Sequence, residues 1–168
     1  AAPGLSMLQF EKQAIIRQLH MLKNLEATIN VQLVDFDTGA RQKTFMNFNS
    51  SNMSSALYFL NASTAKGGTN IDRGLQLATD YYKKVTAASN FENVSFLFSD
   101  GGPTLFMRND GRVGFAFQDQ PGHSVPLTNT VGQFKALSQL TDVHAIALRP
   151  GTKEGTKGNH YMDYLDNT

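Results

Sequence analysis

The chain contains no cysteine among its 168 residues. Without cysteine it can form no disulfide framework, and it has no thiolate to act as a nucleophile or as a metal ligand. The absence of cysteine is typical of a bacterial surface protein exported in one piece, although cytosolic proteins without cysteine are also common.

The chain also has no large excess of positive or negative charge. Fifteen Lys and Arg residues balance fourteen Asp and Glu residues, which leaves a formal net charge of +1. Nucleic-acid binding requires a basic face, and this balance predicts none, nor a polybasic patch for a membrane surface. No apolar stretch approaches the roughly 20 residues that span a bilayer, so we predict no membrane insertion.

What the sequence does contain is an alternation of helical and strand patterns over residues 1–168, which we interpret as one domain. Apolar residues at helical spacing predict a helix that includes Ile71, Leu75 and Tyr82. The near-continuous apolar runs at 94–99 and 143–148 predict strands buried on both faces. The fold class expected from this pattern is α/β, with a doubly wound, mostly parallel, Rossmann-like sheet and helices on both faces.

Residues 104–117 interrupt this alternation with the pattern of a hairpin. Two apolar segments flank Asn109-Asp110-Gly111, residue types that accept a positive φ in a tight turn. The hairpin is either a simple surface feature or part of a binding site. In the second case its aromatic residues are the candidate ligand contacts, because exposed aromatic side chains often anchor a partner: Phe106, Phe115 and Phe117.

Asp100 stands where the apolar run FLFS ends and two glycines follow. Ligands of a doubly wound sheet bind beyond the carboxyl ends of its strands. A carboxylate at that position suits a hard cation such as Mg²⁺, which prefers oxygen ligands. The alternative is an ordinary turn after a strand.

A second oxygen group precedes the predicted helix at 71–85. In AKGGTNIDRGL, Gly67 and Gly68 permit a sharp loop, and Thr69 would present its hydroxyl at the helix start. The alternative interpretation is a capping box between Thr69 and Asp72. A hydroxyl and a carboxylate on neighbouring loops would form a credible site for a divalent cation.

Taken in order, GGTNIDRGLQLA and VSFLFSDGGPT resemble the second and third metal-site motifs of the von Willebrand factor A domain. VQLVDFDTGA resembles the second strand of that family, and MLQFEKQAIIRQL resembles its first helix. Residues 143–168 resemble the A domains near the C-terminus of large bacterial RTX-type adhesins.

The resemblance implies a metal ion-dependent adhesion site (MIDAS) that binds Mg²⁺, Mn²⁺ or Ca²⁺. Thr69 and Asp100 match the ligands of its second and third loops. The first loop should read Asp-x-Ser-x-Ser after a central strand, and alignment leaves only Ser6 to represent it. We therefore predict that such a strand is supplied upstream or by another segment, and that this chain alone binds metal weakly.

The function that the resemblance implies is metal-assisted ligand binding within a larger extracellular adhesin of the bacterial cell surface. The partner would be a protein, peptide or glycan with an acidic group, and the chain would not be an enzyme. One alternative is an intracellular A domain that serves as a protein-assembly module. A more remote one is a metal-dependent hydrolase that uses Asp100, although no second nucleophile or base stands at motif spacing.

Overall fold

The computed structural model describes residues 6–64, 66–85, 91–99, 103–115 and 124–147. No helix in these ranges is both long enough and apolar enough to cross a membrane. The elements follow one another as α1 (Met7–Leu22), β1 (Val31–Phe36), β2 (Ala40–Phe45), a 3₁₀ turn (Ser50–Asn52), α2 (Met53–Asn61), α3 (Ile71–Lys84), β3 (Val94–Ser99), β4 (Leu105–Met107), β5 (Val113–Phe115), α4 (Ser124–Ser138) and β6 (Asp142–Ala147).

The prediction of a doubly wound, mostly parallel sheet is wrong. The described strands form three two-stranded sheets, of which β1–β2 and β4–β5 are antiparallel and only β3–β6 is parallel. The physical reason is the length of the connections. The short turns after β1 and β4 can join only antiparallel neighbours, whereas a parallel pair needs a long crossover, which here includes α4.

Burial of β3 also differs from the sequence-based expectation. Leu97 is buried, whereas Val94 and Phe96 are 41% and 54% exposed. Phe96 stacks on His144 of β6, with ring centroids 5.5 Å apart. Because the side chains of a strand alternate between its two faces, only one face of β3 packs against the helices of the described part.

The predicted additional strand stays a prediction. Within the described ranges β1 pairs only with β2, and β3 pairs only with β6. The second edge of each strand therefore has no strand partner in this part of the chain.

One hydrophobic cluster joins α1 and α2 to one face of the β1–β2 sheet. Val31 and Leu33 of β1 point into it, together with Leu19 of α1. Arg41 of β2 links α2 to the β1–β2 sheet. It forms an ion pair with Asp35 at 2.7 Å and donates a 3.0 Å hydrogen bond to the carbonyl of Phe59 in α2.

A second cluster is built on α3, which contacts both β1 and β3. Its buried members from α3 are Ile71 and Leu75, and Leu97 contributes from β3. Phe36 of β1 packs against the same cluster. The contact is so close that a Cβ on Gly74 would lie 2.7 Å from the Phe36 ring. Helix α3 is thus the element that holds the β1–β2 and β3–β6 sheets together.

Gly74→Ala is expected to lower the free energy of unfolding. Overpacking of a core costs about 1–3 kcal/mol, which exceeds the roughly 0.5–1 kcal/mol that alanine gains over glycine within a helix. Gly132→Ala on α4 is the matched control, because a Cβ there meets nothing within 4 Å. We expect urea unfolding to show destabilisation for Gly74→Ala and stabilisation for Gly132→Ala. Equal stabilisation of both variants would contradict the close packing of α3 on β1.

Candidate functional site

Thr69 lies in the loop before α3 and is fixed through its backbone. Its carbonyl accepts hydrogen bonds from the N–H groups of Thr104 and Leu105, at 3.0 and 3.2 Å. Its own N–H donates to Thr104 Oγ1 at 2.9 Å. No described residue hydrogen-bonds to the Thr69 hydroxyl. The backbone is therefore held against Thr104 and Leu105, while the hydroxyl has no partner among the described residues.

Glycine makes this approach possible. A Cβ on Gly68 would lie 2.5 Å from Leu105 Cδ1, and Gly67 has a φ of 94°. The latter angle is in the left-handed region that favours glycine. Gly68 therefore permits the contact between this loop and β4, whereas Gly67 lies against Thr38 of the turn between β1 and β2.

Asn70 ties the same loop to the turn between β1 and β2. It is fully buried. Its N–H donates to the carbonyl of Asp37 at 2.8 Å, and Nδ2 donates to the carbonyl of Thr38 at 3.0 Å. Its Oδ1 accepts from the N–H of Arg73, which makes Asn70 the N-cap of α3. The capping box proposed between Thr69 and Asp72 is therefore wrong.

Asp72 has a different role, which is to hold the β4–β5 hairpin. The residue is 2% exposed, and its Oδ2 accepts a 2.8 Å hydrogen bond from the N–H of Met107. On the other side, Nδ2 of Asn129 donates to the carbonyl of Met107 at 3.2 Å. The backbone of β4 is thus hydrogen-bonded at Met107 to both α3 and α4.

Ser6 is engaged at the start of α1. Its hydroxyl accepts from the N–H of Gln9 at 3.2 Å, and the Gln9 side chain accepts from the N–H of Ser6 at 2.9 Å. This is a capping box, which satisfies two backbone donors at the helix start. No hydrogen bond links Ser6 to Thr69 in the described ranges.

The candidate ligand contacts differ in exposure. Phe106 is half-buried and lies directly opposite Gly114, over which its ring folds. Phe115 is 69% exposed. Asp100 and Phe117 lie outside the described residues, so their predicted roles stay predictions. In the described ranges no group of three or more His, Asp or Glu side chains is arranged to hold a metal.

Sequence reasoning missed the importance of Asn70, Asp72 and Asn129. The signal for Asn70 was present, because Asn is a preferred N-cap residue and precedes the helical pattern. For Asp72 the local signal was only that it is an acidic residue in the first helical turn, where the helix dipole stabilises a negative charge. Its hydrogen-bond partner, Met107, lies 35 residues further along the chain and leaves no local pattern.

Asp72→Ala is expected to loosen the hairpin. The change leaves the N–H of Met107 without its acceptor, which costs about 1–3 kcal/mol for a buried group. We expect a lower urea midpoint and faster trypsin cleavage at Arg108 and Arg112, two exposed residues of the hairpin. Asp72→Asn retains an acceptor oxygen and should lose less.

The control for this experiment is Asp80→Ala, which removes a half-buried carboxylate from the same helix. It should change the cleavage rate little. Equal cleavage of the Asp72→Ala and Asp80→Ala variants would mean that Asp72 does not hold the hairpin.

Comparisons with known proteins give likeness of structure only. No family model and no curated protein matches the chain. It resembles two crystal structures of the pilus adhesin SpaC from Lactobacillus rhamnosus GG, one of them in an open conformation. The TM-scores are 0.70 and 0.65 at 18% identity, over 96% and 94% of this chain. The chain spans 24% of the length of that adhesin. This likeness shows that the chain shares its fold with one segment of a pilus adhesin.

Proposed function

We propose that the chain is a non-catalytic ligand-binding module of a larger adhesin on the bacterial cell surface. Its likeness to one segment of a pilus adhesin supports a role in adhesion, and its share of that protein's length suits a module in a longer chain. The resemblance of its motifs to the von Willebrand factor A domain, and to the RTX-type adhesins that carry it, forms part of the proposal.

Binding in this proposal is assisted by a divalent cation held by Thr69 and Asp100. The observation that carries it is the hydrogen bonding between Thr69 and residues Thr104 and Leu105. It fixes the loop of Thr69 against residues 104–105, which follow Asp100 closely in the sequence. A hydroxyl and a carboxylate fit Mg²⁺, Mn²⁺ or Ca²⁺, because these hard cations prefer oxygen ligands.

The bound cation would supply a coordination position for an acidic group of the protein, peptide or glycan ligand. The contribution of the chain is to hold the Thr69 backbone in place, which lowers the ordering cost of binding. Ser6 can take part while it caps α1, because a hydroxyl oxygen has two lone pairs and Gln9 occupies one.

Phe115 is the ligand contact that we favour on the hairpin, because more than half of its side chain is exposed. Phe106 and Phe117 are the other candidates. Leu105 at the hairpin base is 1% exposed. Deletion of the whole hairpin would therefore remove a core residue and lower stability. Phe115→Ala is the gentler test of ligand contact.

The metal is tested by calorimetric titration of Mn²⁺ and Mg²⁺ into two proteins. One is this chain, and the other is the chain extended by a strand that ends in Asp-x-Ser-x-Ser. We expect weak binding by the first and at least tenfold tighter binding by the second, because the added motif contributes a further carboxylate and two hydroxyls. Asp100→Ala in the extended protein should abolish that gain.

Asp110→Ala is the matched control, since it removes an exposed carboxylate from the hairpin turn. It should leave the affinity for Mn²⁺ unchanged. Equal affinity of the extended protein and its Asp100→Ala variant would mean that Asp100 is only a turn residue.

A further inference from the structure

An open cleft of about 450 Å³, called the cavity below, lies between α3, α4 and the β4–β5 hairpin. Its volume is within the range of about 300–1,000 Å³ that is usual for small-ligand sites. Thr69 does not line it. The polar part of the described lining is formed mainly by six side chains: Asp72, Gln76, Arg108, Asn109, Asn129 and Gln133.

The walls of this cavity are fixed before any ligand arrives. Asp72 and Asn129 hold the two sides of the Met107 backbone, so α3, α4 and β4 keep their spacing. Arg73 donates a hydrogen bond from Nη1 to Oε1 of Gln76 at 2.5 Å. This bond leaves the NH₂ group of Gln76 able to donate elsewhere. A site that is ordered in advance loses less conformational entropy on binding.

The chemistry of the lining is uncharged overall and rich in carboxamides. Gln133 and Asn109 have no side-chain hydrogen bond to any described residue, and each amide can both donate and accept. Asp72 and Arg108 contribute opposite charges, which cancel. A pocket with this lining has no net charge with which to select an ion.

Apolar anchoring is also weak in this cavity. Among the described residues its apolar lining comes from Met107, Gly132 and Ala136, none of which is aromatic. Peptide and protein partners depend on buried aromatic, arginine or aliphatic anchors, for which the described lining offers no deep apolar subsite. Affinity must instead come from hydrogen bonds, which suits a ligand whose hydroxyl groups donate and accept as the amides do.

We propose that this cavity is a second binding site, for an uncharged polyhydroxylated ligand, namely a neutral saccharide. Gln76, Asn109 and Gln133 are the residues that recognise its hydroxyl groups, and Asp72 holds the wall of the site through Met107. The site needs no cation, so it acts independently of the proposed adhesion site at Thr69.

The test is an array of immobilised neutral and sialylated saccharides, probed in EDTA and, in parallel, in Mg²⁺ without EDTA, with the wild-type chain and two variants. Gln133→Ala removes a lining amide that holds no other residue in the described structure. Gln18→Ala removes an exposed glutamine from α1 and is the matched control. We expect neutral saccharides to bind the wild type and Gln18→Ala equally, and to bind Gln133→Ala at least tenfold more weakly, with the same urea midpoint for all three.

Four results would overturn the proposal. The first is the absence of binding to any neutral saccharide on the array. The second is equal binding by Gln133→Ala and the wild type, which would place the saccharide elsewhere. The third is binding only to sialylated saccharides and only without EDTA, which would assign recognition to the cation site. Selection of extended peptides from a parallel peptide array, without saccharide binding, would assign the cavity to another ligand class.

Discussion

Two buried polar side chains at the start of α3 hold both antiparallel hairpins of the described structure against that helix. At the turn of the β1–β2 hairpin, the N–H of Asn70 donates to the carbonyl of Asp37 and its Nδ2 donates to the carbonyl of Thr38. Its Oδ1 accepts from the N–H of Arg73. Asp72 accepts from the backbone of the β4–β5 hairpin. Because both residues are almost fully excluded from solvent, loss of either would leave buried groups unpaired, which costs more than one hydrogen bond normally contributes.

This arrangement explains why both candidate binding regions lie near the same helix end. Thr69 directly precedes Asn70, so the backbone that would present its hydroxyl is fixed by the same set of hydrogen bonds. The amide-lined cavity begins at Asp72 and extends along α3 to Gln76. Gly74, one helical turn beyond Asn70, allows α3 to lie against Phe36. The helix start is thus positioned by core packing and by polar contacts together.

Features of the fold that are set by neighbouring residues could be predicted from the sequence, whereas those set by distant contacts could not. The helical spacing of Ile71, Leu75 and Tyr82 predicted α3 correctly, and all three pack into the second core cluster. Asn109-Asp110-Gly111 carries a turn signal, and Gly111 has a φ of 78° between two paired strands. The burial of β3 was predicted wrongly, because an apolar run does not reveal which of its faces a helix will cover. The partners of Asp72 and Asn129 are set by tertiary contacts that have no sequence period.

Amide hydrogen exchange at the contacts of the α3 start tests this account most directly. The diagnostic amides are those of Asn70, Thr104, Leu105 and Met107, which donate to Asp37, Thr69 and Asp72. We expect them to exchange as slowly as the amide of Leu75 within α3, that is, only through global unfolding. Exchange as fast as that of Gly111 in the exposed hairpin turn would contradict the claim that the start of α3 holds the two hairpins.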